Sequence, residues 1–171
     1  MENRIAEFEK VSWQQFKNAS MGSGAAQYLT ESELSAIWDH IQLPVRGTAG
    51  SAGYDIRSPF HFGLMPGASI IVPTGLRVRI DEGWFLACLP RSGSGFKFQV
   101  RLANTAGVID SDYCKSENKG HIFVKLVNGG EQCFTVEQGD GIVQGIFLPF
   151  GLTYSDAAAG GRNGGFGSTG R

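Results

Sequence analysis

Cysteine is scarce in this chain: Cys88, Cys114 and Cys133 are odd in number, far apart and without a C-x-x-C pair. They supply neither a disulfide framework nor a zinc site, so a reducing, cytoplasmic setting is expected, the host-cell cytoplasm for a viral chain. Histidine is equally sparse, and His40, His61 and His121 are too scattered to suggest a His-based metal centre. A surplus of one charge is also missing, with 15 basic against 16 acidic side chains among 171 residues. A sequence-independent nucleic-acid binder needs excess cations, so no nucleic-acid partner is expected. No apolar run approaches the length of a bilayer span, and the opening MENRIAEFEK has no signal-peptide core, so no membrane is expected either.

Glycine is plentiful: 25 of 171 residues, about twice the usual ~7% share. With 42% hydrophobic residues, that excess points to a folded chain full of tight turns rather than to disorder. Helices tolerate so much glycine poorly, whereas short strands use it at turns and bulges. Ile5 to Val11 reads as a short edge strand, and the stretch after it, including Met21-Gly22-Ser23-Gly24, reads as loop. Thr30-Glu31-Ser32-Glu33 has the form of a capping box, and Leu34, Ile37, Trp38 and Ile41 follow at helical spacing. One short amphipathic helix is therefore predicted over roughly Glu31 to His40.

From Leu43 onward the pattern is strands. Leu76-Arg77-Val78-Arg79-Ile80 alternates apolar with basic between two turn segments. Trp84 to Leu89, Phe98 to Leu102, His121 to Val127, Gln132 to Val136 and Ile142 to Phe147 are further candidates. Many short strands with little helix predict an all-β sandwich, jelly roll or small barrel. Residues 1–156 are expected to form one domain, with an added segment at about 13–42. The last fifteen residues, Ala157 to Arg171, hold six glycines and one large apolar side chain, Phe166. Such a stretch cannot build a core, and a mobile tail is expected.

Five segments combine residue types that carry chemistry, although each alone also reads as an ordinary turn or tail. Ser51-Ala52-Gly53-Tyr54-Asp55 sets a carboxylate after a small-residue turn. Pro90-Arg91-Ser92-Gly93-Ser94-Gly95 offers a guanidinium, hydroxyls and approachable backbone N–H groups, a phosphate cradle without the P-loop pattern. Asn104 to Tyr113 contains Gly107-Val108-Ile109-Asp110, which looks like a strand entering a hairpin; Asp110 and Asp112 share a face if that strand stays regular. An ionised carboxylate there can orient or deprotonate water. Gly139 to Gln144 is a turn feeding an apolar strand. Arg162 to Gly170 places a cation, an aromatic ring and the Ser168 and Thr169 hydroxyls on a glycine-rich strap suited to folding over a nucleotide.

In this order and span, about Leu43 to Gly170, the five segments resemble the motifs of the trimeric dUTPase family. SAGYD, PRSG, GVIDSDY and GGFGSTG agree nearly letter for letter with it. The resemblance implies a jelly-roll-like β fold, a homotrimer whose sites take motifs from three chains, and Mg2+-dependent hydrolysis of dUTP to dUMP and pyrophosphate. That activity would limit uracil in DNA and supply dUMP for thymidylate synthesis. It implies that Asp110 activates the attacking water and that Tyr113 packs against the deoxyribose, where a 2′-hydroxyl would clash. Asn104, Gly107, Val108 and Ile109 would read the uracil edge, with rejection of other bases by clashes and unpaired polar groups. Arg91, Ser92 and Gly93 would bind phosphate, and Gln144 would lie near the α-phosphate. Phe166 would stack on uracil, Arg162 would meet the γ-phosphate, and Gly167, Ser168 and Thr169 would complete the lid. Asp55 would meet Mg2+ through bound water.

Four departures from the family pattern stand out. Gly141 occupies the place of the fourth motif's arginine. Arg162 precedes Phe166 by four residues where the common spacing is five. Cys114 to Lys119 looks like an insertion before Gly120, and the segment before Leu43 is longer than the family's minimal form requires. These last two additions are surfaces on which a regulatory protein partner is conceivable. The related dCTP deaminases need a proton-moving glutamate, and neither PRSG nor GVIDSDY contains one.

Overall fold

The computed structural model describes residues 4–160. Twelve strands appear among them: β1 (Ala6–Lys10), β2 (Val45–Arg46), β3 (Tyr54–Arg57), β4 (Phe62–Leu64), β5 (Ser69–Pro73), β6 (Leu76–Ile80), β7 (Trp84–Pro90), β8 (Val100–Leu102), β9 (Gly107–Asp110), β10 (Phe123–Asn128), β11 (Phe134–Val136) and β12 (Gly141–Pro149). Three α-helices, α1 (Trp13–Met21), α2 (Glu31–Asp39) and α3 (Ser92–Phe98), and a 3-10 turn at Tyr113–Lys115 complete the fold. The strands form an open, jelly-roll-like β-sandwich. Its largest sheet has the order β2-β3-β12-β7-β9; β5-β10-β8 form a second, and β1-β6 and β11-β4 are two-stranded ribbons.

Local chemistry explains the elements. In β6 the apolar residues Leu76, Val78 and Ile80 are buried while Arg77 and Arg79 face outward. Across the antiparallel pairing, Glu9 and Glu7 stand opposite those arginines, and their carboxylates meet the guanidinium groups at 2.8 and 2.6 Å. The predicted α2 forms with its capping box complete: the Thr30 hydroxyl accepts from the Glu33 N–H, and Glu33 accepts from the Thr30 N–H at 2.8 Å. Donation from the Thr30 hydroxyl at 2.7 Å, and then from the Thr30 N–H, holds the exposed Glu33 carboxyl below its ordinary pKa.

Two helices were not foreseen from the sequence. The expected loop after β1 is in part α1, capped by the Ser12 hydroxyl. Its apolar signal is short because a single side chain, Phe16, does most of the burying; the ring stacks on Phe60 at 5.8 Å and fills the core beside Gly75. The glycine-rich turn Ser92 to Gly95 winds into α3, so the strand predicted from Phe98 begins only at Val100. No side chain of α3 is buried, so it left no periodic apolar trace. One hydrophobic core joins Val11, Phe16, Ala26 and Leu34 of the added segment to Ile56, Val72, Leu86, Leu126 and Val143 of the sheets.

Candidate active site

The sequence-predicted residues separate into two groups. Asp55, Arg91 and Gln144 meet at one end of the large sheet, because Gln144 on β12 pairs with both Asp55 on β3 and Leu89 on β7. Arg91, at the start of α3, places Nε 3.2 Å from the Asp55 carboxylate and donates through Nη1 to the Gly141 carbonyl at 3.2 Å. A Cβ at Gly141 would stand 2.7 Å from that Nη1, so the missing side chain makes room for the guanidinium. Gln144 donates to the Pro90 carbonyl at 3.3 Å, and a Cβ at Gly53 would stand 2.8 Å from its Oε1. Ser92 and Gly93 lie in the first turn of α3, where backbone N–H groups lack intrahelical acceptors.

The second group surrounds a cavity of about 520 Å³ whose walls include Asn104, Gly107, Val108, Ile109 and Tyr113. Gly107 is needed there because β9 lies close on β7: a Cβ would come within 3.2 Å of that of Cys88. Tyr113 is buried and donates its hydroxyl to the His121 carbonyl at 3.0 Å. Sequence reasoning missed other residues of these walls, among them Cys88, Leu102, Ile122, Val124 and Lys125. They come from β7, β8, β10 and the residue before β10, and only strand pairing brings them together. Burial pushes the Cys88 thiol up to about 12, so it stays a neutral wall element rather than a nucleophile.

Two local expectations are corrected. Asn104 to Asp110 does not belong to a hydrogen-bonded β8–β9 hairpin: β8 pairs with β10 and β9 with β7, so the turn between them crosses from one sheet to another. Nor do Asp110 and Asp112 share a strand face, because β9 ends at Asp110 and Asp112 takes helical angles before the 3-10 turn. Asp110 closes β9 opposite Phe85, just outside the residues that line the cavity.

The two groups adjoin along β7, where Cys88 of the cavity wall precedes Leu89, but their carboxylates stand far apart within one chain. Asp55 and Asp110 are separated by three inter-strand steps and four residues of β7, roughly 14 Å across the sheet and roughly 13 Å along it. Among the described residues no three His, Cys, Asp or Glu side chains gather as metal ligands. No helix among them is long and apolar enough to cross a membrane. Arg162, Phe166, Gly167, Ser168 and Thr169 lie outside the described residues; residues 157–160 are exposed and without regular structure.

A family model described as dUTPase matches residues 39–170, which covers both groups and the Arg162 to Gly170 segment. The chain belongs to the dUTPase family. Among its relatives, the deoxyuridine 5'-triphosphate nucleotidohydrolase of Cronobacter sakazakii is 40% identical over 143 residues, covering 79% of this chain and 91% of the relative. That of Lactococcus lactis is 38% identical over 133 residues, covering 76% and 89%. The crystal structure of a dUTPase from Streptococcus mutans matches with a TM-score of 0.63 and 33% identity over 85% of this chain and 97% of that one. A mutant of the Staphylococcus bacteriophage 80alpha dUTPase with dUpNHpp, at 20% identity and a TM-score of 0.57, shares the fold over 70% of this chain and 90% of its own. The dUTPase match begins at residue 39, so α1 and nearly all of α2 precede the family's common region.

Proposed function

We propose that the protein hydrolyses dUTP to dUMP and pyrophosphate at sites assembled between copies of a homotrimer. The observation that carries this is the division of the dUTPase motifs into two groups that one chain holds apart. A cavity bounded by Asn104, Gly107 and Tyr113 suits a flat base and its sugar, while Arg91, Ser92 and Gln144 offer donors for phosphates. With Asp55 and Asp110 roughly 19 Å apart in one chain, a site that uses both carboxylates is assembled between chains in this reading. The end of β12 and the segment after it support assembly: Leu148, Phe150, Leu152 and Tyr154 are exposed apolar side chains that a second copy would cover.

In this reading Asp110 accepts a proton from a water molecule as the water oxygen attacks the α-phosphorus. The bond from that phosphorus to the bridging oxygen breaks, and pyrophosphate leaves with the electron pair. Val108 and Ile109 support the base-reading edge, Tyr113 bars a 2′-hydroxyl, and Ser92 and Gly93 donate to phosphate oxygens. Arg162, Phe166, Gly167, Ser168 and Thr169 close over the nucleotide. The residues also fit Mg2+. Asp55 supplies a partly exposed, hard carboxylate oxygen already facing a cation, Arg91, and Mg2+ binds through few protein ligands while keeping waters. When bound beside Asp55, Mg2+ would supply positive charge to offset that of the triphosphate.

The test is pyrophosphate release from each common dNTP with Mg2+, beside a sedimentation measurement. Rapid release from dUTP by a trimer is expected. Asp110→Asn should keep nucleotide binding while turnover falls at least about a hundredfold, a usual loss for a general base. Ammonia from dCTP without pyrophosphate from dUTP would overturn the assignment. A near-normal rate in Asp110→Asn would remove Asp110 from its role.

A further inference from the structure

The added N-terminal helix and the insertion after Tyr113 form one hydrogen-bonded unit around the Tyr113 hydroxyl. Asn118, in the insertion, donates its side-chain amide to that hydroxyl at 2.7 Å, while the hydroxyl donates to the His121 carbonyl at 3.0 Å. The Asn118 side-chain oxygen accepts from the Ser116 hydroxyl at 2.6 Å and from the Gly120 N–H at 3.1 Å. The same hydroxyl lies 2.7 Å from the Tyr113 carbonyl, the alternative acceptor for its single proton. Gly120 closes the loop at φ +78, where a Cβ would strike the Cys114 Cα at 2.8 Å. The loop therefore has little freedom, and its amide is fixed in place.

The loop is anchored from outside as well. Gln15 on α1 donates its side-chain amide to the Asn118 backbone carbonyl. A second connection runs through Phe16, which packs on Gly75; the Gly75 N–H donates to His121 Nε2 at 2.9 Å, and the carbonyl of the same His121 receives the Tyr113 hydroxyl. Both routes begin on α1, which lies before the region matched to the family, and both end on one phenol.

We propose that Asn118 is a positioning residue for sugar discrimination, with Gln15 as its support. It holds the Tyr113 ring by its hydroxyl so that the ring cannot tilt to admit a ribose 2′-hydroxyl. The proposal rests on the placement of Tyr113 against the deoxyribose given above. Asn118 touches neither substrate nor reacting atoms; it acts through Tyr113. A tyrosine hydroxyl held by both a donor and an acceptor is restrained in rotation and tilt, and loss of the donor removes one of these restraints.

The experiment measures kcat/KM for dUTP and for UTP in the full-length protein. The variants are Asn118→Ala, Asn118→Asp, Gln15→Ala, Tyr113→Phe and the double variant Asn118→Ala/Tyr113→Phe. Asn118→Asp keeps the acceptor that closes the loop and re-tethers the phenol by accepting its proton, so it should retain most of the discrimination that Asn118→Ala loses. The ratio of dUTP to UTP efficiency should fall about fivefold in Asn118→Ala, the loss expected for one neutral hydrogen bond, and less in Asn118→Asp and in Gln15→Ala. Tyr113→Phe should show a similar fall, and adding Asn118→Ala to it should change little further, because the two residues act through one contact. An unchanged ratio in Asn118→Ala, a fall in Asn118→Asp as large as in Asn118→Ala, or additive losses in the double variant, would overturn the role of Asn118. A wild-type protein without preference for dUTP over UTP would instead overturn the placement of Tyr113 itself.

Discussion

Replacing His121 by Gln should flatten the acid side of the stability profile. The His121 ring is 1% exposed, lies 4.5 Å from Phe123 between ring centroids, and accepts the Gly75 N–H at Nε2. Burial lowers its pKa to about 4 from an ordinary 6.5, since the cationic ring would lose its hydration and expel the Gly75 donor. Below pH 6.5 the unfolded chain takes up a proton that the folded chain refuses until about pH 4. The neutral ring's contribution to stability is thus complete above the unfolded value and is lost as pH falls through that window. From the two values, the loss is about 2 kcal/mol at pH 5 and about 3 kcal/mol at pH 4. For a chain of this length, 2 kcal/mol corresponds to a melting temperature lower by about 4–8 °C. Calorimetry at pH 7.5, 6.5, 5.5 and 5.0 on wild type and His121→Gln measures it. The amide oxygen can take the Gly75 N–H, and it does not titrate in this range. The wild-type curve should fall more steeply than the variant's by that amount. Parallel curves, or an NMR titration that finds His121 protonating near 6.5, would refute the assignment of a buried neutral ring.

Three further outcomes are expected. Phe16→Ala should cost about 3–5 kcal/mol, as for other buried aromatic truncations, because the ring is fully buried and stacked on Phe60; denaturant unfolding measures it. A loss under 1 kcal/mol would mean that α1 is not part of the core. Gly141→Ala should push the Arg91 guanidinium off the Gly141 carbonyl and away from Asp55, raising KM for dUTP roughly two- to fivefold, the scale of a half-exposed ion pair; steady-state kinetics with unchanged KM would contradict that placement. A chain ending at Gly161 should lose most turnover while melting at the same temperature, since the core is built from residues before it; a lower melting temperature would make the removed segment structural.

The strands were legible where one face is buried and the other wet. Leu76 to Ile80 alternates because Arg77 and Arg79 meet glutamates on β1, and the Thr30 capping box announces α2 by its own hydrogen bonds. Helix α1 was not legible because it rests on one buried aromatic, and α3 was not because its glycines argue for a turn while none of its side chains is buried. For the site, the motif residues were visible but their distribution was not. Nothing local to GVIDSDY shows that β9 pairs with β7 while β8 pairs with β10, or that Cys88 and Val124 wall the same cavity. Pairing between distant strands is decided by the whole core, so it has no signature in any one segment.

The gap between Asp55 and Asp110 along the large sheet has a consequence for how activity scales with abundance. If neither half of a site works without its neighbour's half, specific activity is a property of concentration, falling on dilution as the assembly dissociates. Two copies crippled in different halves, such as Arg91→Ala in one and Asp110→Asn in the other, would then regain some turnover when refolded together, because one of the mixed junctions joins two intact halves.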